Sequence, residues 1–201
     1  STDYKDYPTK NYHNIEISNS LFLGSNSYYV KKIIFFIKEK NINILEVHNR
    51  PEIALRLKNE TGKKIILYFH NEPQKIRKSF LPRNREEILE KIDKIIFVSE
   101  WVRSRFFDQV KQKNSSKTHV IYPTISKKKI QLKKKEKLIL FIGKLNTSKG
   151  YNVFSEILPS VLNKHRKWKA ITIGSEPREK IYLKHPRIHH MGWLPYEETL
   201  K

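Results

Sequence analysis

Cysteine is absent from the 201 residues, which excludes disulfides and thiolate zinc sites and leaves packing to hold the fold, as suits a cytoplasmic protein. No apolar run approaches the roughly 20 residues that a membrane helix needs, and the polar stretch Ser1 to Tyr12 lacks the pattern of a signal peptide, so a soluble chain is expected. The eight histidines include no His-x-His pair and no Asp/Glu/His set at ligand spacing, so no metal site is expected. Neither Gly-x-Gly-x-x-Gly nor Gly-x-x-x-x-Gly-Lys-Ser/Thr occurs, which removes support for a nicotinamide dehydrogenase or a P-loop enzyme. Acidic residues are scarce, 20 against 41 Lys and Arg.

The resulting net charge of +21 points to an anionic partner: a nucleotide, a nucleic acid or an acidic membrane surface. Lysine greatly outnumbers arginine, so part of this balance reads equally as compositional bias. Specific base readout leans on Arg, and no specific nucleic-acid partner is expected. A content of 38% hydrophobic and 11% aromatic residues is enough for genuine cores in one large domain or two small ones.

Strands and helices alternate along the chain. A helix from Ser27 carries Val30, Ile33, Ile34 and Ile37 at helical spacing; Ile42 to Val47 is a short apolar run, and Pro51 sits where a helix starts. Lys63 to Phe69 reads as a strand, Arg85 to Ile92 as a helix, Lys94 to Val98 as a buried strand, Ser99 as an N-cap, and His119 to Tyr122 as a last strand. This order predicts a parallel sheet covered on both faces in an N-terminal domain, residues 1–125. Lys127 to Lys129 and Lys133 to Lys135 repel one another and mark a basic linker, residues 126–137. A second alternation occupies 138–201: a strand at Leu138 to Ile142 buried on both faces, a helix at Tyr151 to Lys164 kinked by Pro159, a strand at Lys169 to Ile173, a helix at Glu176 to Lys184 and a strand at Ile188 to Met191. It then breaks off at Tyr196 to Lys201, which predicts a piece of a longer product.

Three constellations carry chemistry. Leu138 to Gly150 is a strand that runs through Gly143 into a turn with Lys144 and Lys149. A helix starting there would offer free N–H groups and two full charges to a diphosphate, although the same lysines read equally as solvated loop residues. His48-Asn49-Arg50-Pro51 and His70-Asn71-Glu72-Pro73 form a near-repeat, each directly after a strand, at the edge where open parallel sheets bind ligands. His70 could bond a sugar hydroxyl or shuttle a proton, and Arg50 could hold an anion, while each histidine alone also reads as a structural hydrogen-bonder. Gly174, before Ser175-Glu176-Pro177, would let a ligand ring approach the backbone, with Pro177 near the first position of a helix.

In this order and spacing, Val47-His48-Asn49-Arg50-Pro51-Glu52, Phe69-His70-Asn71-Glu72-Pro73-Gln74, Phe97-Val98-Ser99-Glu100-Trp101-Val102, Val120-Ile121-Tyr122-Pro123, Phe141-Ile142-Gly143-Lys144, Lys149-Gly150, Ile173-Gly174 and Met191-Gly192-Trp193 resemble the family 4 retaining glycosyltransferases. The resemblance implies an α/β protein of GT-B fold: two Rossmann-like, doubly wound parallel-sheet domains facing across a cleft, here truncated at both ends with the second incomplete. It implies a hexosyltransferase type of reaction, metal-independent, with no cofactor beyond a nucleotide diphosphate sugar as donor and a glycan or lipid-linked acceptor, in cell-surface polysaccharide or lipopolysaccharide synthesis. Gly143, Lys144, Lys149, Gly174 and Gly192 fall at donor-binding positions, His70 at a catalytic one, and Arg50, Asn71 and Glu72 where acceptor or sugar contacts lie. Lys144 stands where the family usually has Arg, and would grip a phosphate as a point charge without the planar fork.

Two parts of the family pattern are missing. Ser1 to Leu23 has no glycine-rich acceptor loop, with Gly24 and Ser25 at best a relic, and the acidic pair Glu-x7-Glu would lie beyond Lys201. Residues 1–201 are therefore expected not to turn over substrate alone. The linker lysines suit peripheral contact with acidic lipid at the inner face of the plasma membrane. Two other readings stay open: a basic nucleic-acid-binding α/β protein that uses the lysine-rich linker and exposed aromatics, and a GT-B epimerase, for which no base-catalytic residues are identified.

Overall fold

The computed structural model describes residue 15 and residues 25–112, 115–124 and 135–200. Gly24 and residues 125–134, with most of the expected linker and its lysines, lie outside the described residues. The chain divides into two compact units, Ser1–Lys127 and Lys128–Lys201.

In the first unit the order is α1 (Ser25–Glu39), β1 (Ile44–His48), α2 (Pro51–Thr61), β2 (Lys64–Phe69), a 3-10 turn (Pro73–Lys75), α3 (Pro82–Lys91), β3 (Lys94–Phe97), α4 (Glu100–Phe107) and β4 (Thr118–Val120). The four strands form one parallel sheet in the order β1-β2-β3-β4. Ile65, Leu67 and Phe69 of β2 alternate into a core with Val30 and Ile37 of α1, Ile53 and Leu57 of α2, and Ile88 of α3. Phe69, Phe97 and Phe106 meet at ring separations of 5.1–5.9 Å. Ser99 caps α4, its Oγ accepting from the Val102 N–H at 3.2 Å.

Arg85 is 1% exposed and donates to the carbonyl oxygens of Phe106 (2.6 Å), Ser79 (2.8 Å), Phe80 (2.7 Å) and Asp108 (2.6 Å). It pins the segment ahead of α3 to the end of α4. The β4 strand is shorter than expected, since Ile121 still donates to Phe97 O at 2.9 Å but Ile121 and Tyr122 are exposed.

The second unit comprises β5 (Leu138–Ile142), a 3-10 turn (Thr147–Lys149), α5 (Tyr151–Lys164), β6 (Lys169–Ile173), β7 (Ile188–Gly192) and the single turn α6 (Tyr196–Thr199). Its sheet is parallel, in the order β5-β6-β7. Helix α5 runs through Pro159 without ending there.

Two expectations need correction. Strand β5 is not buried on both faces: Ile139 and Phe141 pack on the core of Tyr151, Leu158 and Leu162, while Leu140 and Ile142, on the other face, are about half exposed. Alternation along an outer strand divides the apolar run between core and solvent. The expected helix Glu176 to Lys184 is also absent, and the chain from Gly174 to Arg187 is irregular. Leu183 is buried and Ile181 packs on the same core, while Tyr182 between them is 79% exposed. That alternation suits extended chain, because a helix would turn Ile181 and Leu183 to different faces.

Candidate functional site

The proposed site residues fall into two groups, one in each unit. In the second unit, Gly143, Gly174 and Gly192 stand side by side at the C-terminal ends of β5, β6 and β7. Gly143 N–H donates to Ile173 O at 3.0 Å and Gly174 N–H to Gly192 O at 2.7 Å. Only glycine fits at 174, where φ is +136° and a Cβ would lie 1.8 Å from Gly143 O. The three residues form a strip of bare backbone along the edge where open α/β sheets take ligands.

Lys144 and Lys149 flank the turn that leaves this strip, both exposed, and neither ammonium has a partner among the described residues. Asn146 shapes the turn: its N–H donates to Lys144 O at 2.9 Å, and its Oδ1 accepts from Lys149 N–H at 3.1 Å and Ser148 Oγ at 2.9 Å. Gly150 follows with φ +75° and α5 begins.

Several of the amides expected to be free at this helix start are engaged. Lys149 N–H is capped by Asn146, Gly150 N–H donates to Thr147 O, Tyr151 N–H to Asn146 O and Phe154 N–H to Gly150 O, while Thr147 N–H and Oγ1 donate to Glu179 Oε2 at 2.8 and 2.9 Å. The tight 3-10 turn ahead of α5 takes up those of Lys149, Gly150 and Tyr151 internally, and Glu179 takes that of Thr147 from outside it. The lysine side chains are what this turn offers an anion.

The irregular segment after β6 folds back onto this turn. The Arg178 guanidinium, at 2.8 and 3.0 Å, holds the Glu176 carboxyl down at about 2, helped by the Arg178 N–H and by Asn146 Nδ2 at 3.4 Å. Glu176, Glu179 and Asn146 were not singled out in the sequence. Pro177 follows Glu176 inside this clasp rather than opening a helix.

In the first unit, His48 ends β1 and His70 follows β2. The β1–β2 register sets His48 opposite Tyr68, and His70 lies two residues beyond Tyr68. The His48 ring stacks on Tyr68 at 4.6 Å and meets His70 edge to edge, ring centres 5.1 Å apart, with His48 Nδ1 2.8 Å from His70 Nε2. Burial first, and the charge of His48 second, lower the pKa of His70.

The near-repeat is physically joined. Asn49 adopts φ +53°, its N–H donates to Tyr68 O at 2.8 Å, and its Oδ1 accepts from the N–H groups of His70 (2.8 Å) and Asn71 (3.2 Å). Arg50, at the start of α2, lines a hollow of about 400 Å³ with Glu46, His48 and Tyr29, and a second of about 340 Å³ with Glu52, Lys75 and Arg77. Asn71 is exposed.

Glu72 is already engaged. Lys75 at 2.9 Å and Arg105 at 2.9 Å bind its carboxylate and depress its pKa, and Arg105 also donates to Gln74 Oε1 at 2.5 Å. This side chain is a tether between the β2 loop and α4 before it is a contact for any acceptor. Arg105 carried no signal in the sequence beyond being polar, and Gln74 was marked only as the last residue of the motif Phe69 to Gln74. His48 and Tyr68 are findable in it, because residues i and i+2 on a strand share a face and the repeat pairs its histidines. Among the described residues, no three His, Cys, Asp or Glu side chains are placed to hold a metal ion, and no helix is long and apolar enough to cross a membrane.

A family model described as Glycosyltransferase Family 4 matches residues 6–129. The protein named "Putative glycosyltransferase YtcC" from Bacillus subtilis (strain 168) is 23% identical, covering 86% of this chain, and the chain spans 47% of that relative, about half its length. Sucrose-phosphate synthase from Thermosynechococcus elongatus superposes with TM-score 0.67 at 13% identity, covering 87% of this chain and 51% of that one. HepE of Anabaena, solved in complex with UDP-glucose, gives TM-score 0.61 at 11% identity, covering 83% and 52%. At such identities the likeness carries the fold alone, which is of GT-B class.

Proposed function

The chain belongs to Glycosyltransferase Family 4, and from that membership we propose that it serves the transfer of a sugar, with retention, from a nucleotide diphosphate sugar to a glycan or lipid-linked acceptor. The observation that carries the reading is the strip of Gly143, Gly174 and Gly192 beside Lys144 and Lys149, whose ammonium groups have no partner among the described residues. Bare backbone admits a nucleoside closely, and two fixed ammonium groups oppose the charge that grows on a departing diphosphate. Those cations support the further proposal of a metal-independent mechanism, with no cofactor beyond the donor.

His70 is proposed to meet the reacting sugar, with Arg50 and Asn71 nearby for acceptor or sugar hydroxyls. Glu72 contributes by holding that loop to α4. HepE was solved with UDP-glucose, which makes a uridine nucleotide the first donor to test. Surface polysaccharide or lipopolysaccharide synthesis in the cytoplasm, at the inner face of the plasma membrane, is the proposed setting. Residues 1–201 alone are proposed to bind nucleotide without turnover.

The test is thermal unfolding of the 201-residue chain with UDP, GDP and their sugars at moderate salt. A nucleotide at a hundredfold its Kd adds about 2.7 kcal/mol of stability. A nucleotide-dependent rise in Tm supports the reading. No rise, together with oligonucleotide binding that falls steeply with salt, favours a nucleic-acid module instead.

A further inference from the structure

We propose that His48 is a positioning residue for His70: the two imidazoles form a relay in which a proton taken up at His70 Nδ1 leaves its charge on His48, beside Glu46. The inference rests on the reading of His70 as the group nearest the reacting sugar. Its basis is the edge-to-edge contact of His48 Nδ1 with His70 Nε2 at 2.8 Å, with the His48 ring stacked on Tyr68.

A nitrogen pair at this distance shares one hydrogen. Glu46 Oε2 lies 3.9 Å from His48 Nε2, which favours a hydrogen on that nitrogen. In the neutral pair His48 Nδ1 is then the acceptor, His70 Nε2–H the donor, and His70 Nδ1 carries a lone pair. When Nδ1 of His70 takes a proton, the shared hydrogen crosses from His70 Nε2 to His48 Nδ1. His70 ends neutral with hydrogen on Nδ1, and His48 ends as the imidazolium facing the Glu46 carboxylate. One proton enters and one hydrogen shifts, so the count balances.

Sugar transfer to a hydroxyl releases one proton, which this arrangement can accept. A second proton would set N–H against N–H and open the pair. The groups facing it are Glu46 on β1, Tyr68 on β2 and Arg50 in the adjoining hollow, the last opposing further charge. The pKa of His70 is lowered, by burial first and by the charge of His48 second.

The test is long-range proton–nitrogen NMR of the 15N-labelled 201-residue chain as wild type, His48→Gln and His48→Phe, with circular dichroism to check folding at these exposed positions. The pair is expected to titrate in two separate steps in the wild type, with the His70 tautomer changing at the first. In His48→Phe, His70 should titrate once, at higher pH than in the second wild-type step. His48→Gln should also give a single step, with a partner for Nε2 retained. An unchanged His70 titration and tautomer in His48→Phe overturns the proposal.

A transfer assay on the enzyme containing this chain separates the two levels. Loss of about tenfold in kcat in His48→Phe with donor KM unchanged, a displaced acid limb and partial rescue by Gln supports the relay. Two-step titration with wild-type transfer rates in both His48 and His70 variants leaves the pair standing and overturns the role given to His70.

Discussion

The two sheets end differently at the edge that faces ligands. In the first unit, side chains finish the backbone: Asn49 stitches the β1 loop to the β2 loop, Arg85 serves four carbonyls, and Glu72, Gln74 and Arg105 tie the next turn to α4. In the second unit three glycines leave the backbone bare, and the cations beside them have no protein partner among the described residues. An edge already engaged with itself can hold a reacting group in one orientation. A bare edge with unpaired cations keeps its binding capacity for something anionic that approaches closely.

The sharpest break of this contrast is Gly174→Ala. A Cβ 1.8 Å from Gly143 O and a φ of +136° leave no local adjustment, so a loss of roughly 4 kcal/mol is expected in the second unit, with nucleotide stabilisation abolished. Urea unfolding by circular dichroism checks it. Next is Arg85→Met, which strips four carbonyls, two of them in buried bonds, of their donor and is expected to cost about 3 kcal/mol in the first unit while leaving the nucleotide response of the second intact.

A smaller effect, about 2 kcal/mol, is expected for Asn49→Ala, which loses the acceptor for two amides and puts Ala at a positive φ. Asn49→Gly should recover only the backbone part, which unfolding of the two variants side by side will show. The smallest effect comes from acid. Glu176 ionises at about 2 when folded against 4.5 for an unperturbed carboxyl, so its stabilisation is complete above about 4.5 and is lost as the pH falls to about 2. Glu176→Gln should flatten that part of the second unit's pH–stability curve without affecting the first.

How far the residues announced this can be judged position by position. Pro51 and Ser99 marked helix starts because ring geometry and side-chain capping act within a few residues. Gly143 and the strand around it were legible because an apolar run ending in glycine has few other uses. The segment after Gly174 was misread: Pro177 after Glu176 looks like a helix start, and nothing local shows that Glu176 and Glu179 turn back to Asn146 and Thr147, some thirty residues earlier. Long-range pairs such as Glu72 with Arg105, or Arg85 with Phe106, leave no periodic trace at all. That several helix-start amides are engaged was illegible for a related reason, since the 3-10 turn that takes them up depends on Gly150 adopting a left-handed φ.

The most direct measurement of the central claim is isothermal titration of UDP into the 201-residue chain and into its Lys144→Ala, Lys149→Ala and double variants. Affinity is expected to fall about tenfold for each single change and further for the double, with unfolding midpoints unmoved. UDP binding that is indifferent to both lysines, or absent from the folded wild type, would contradict the account.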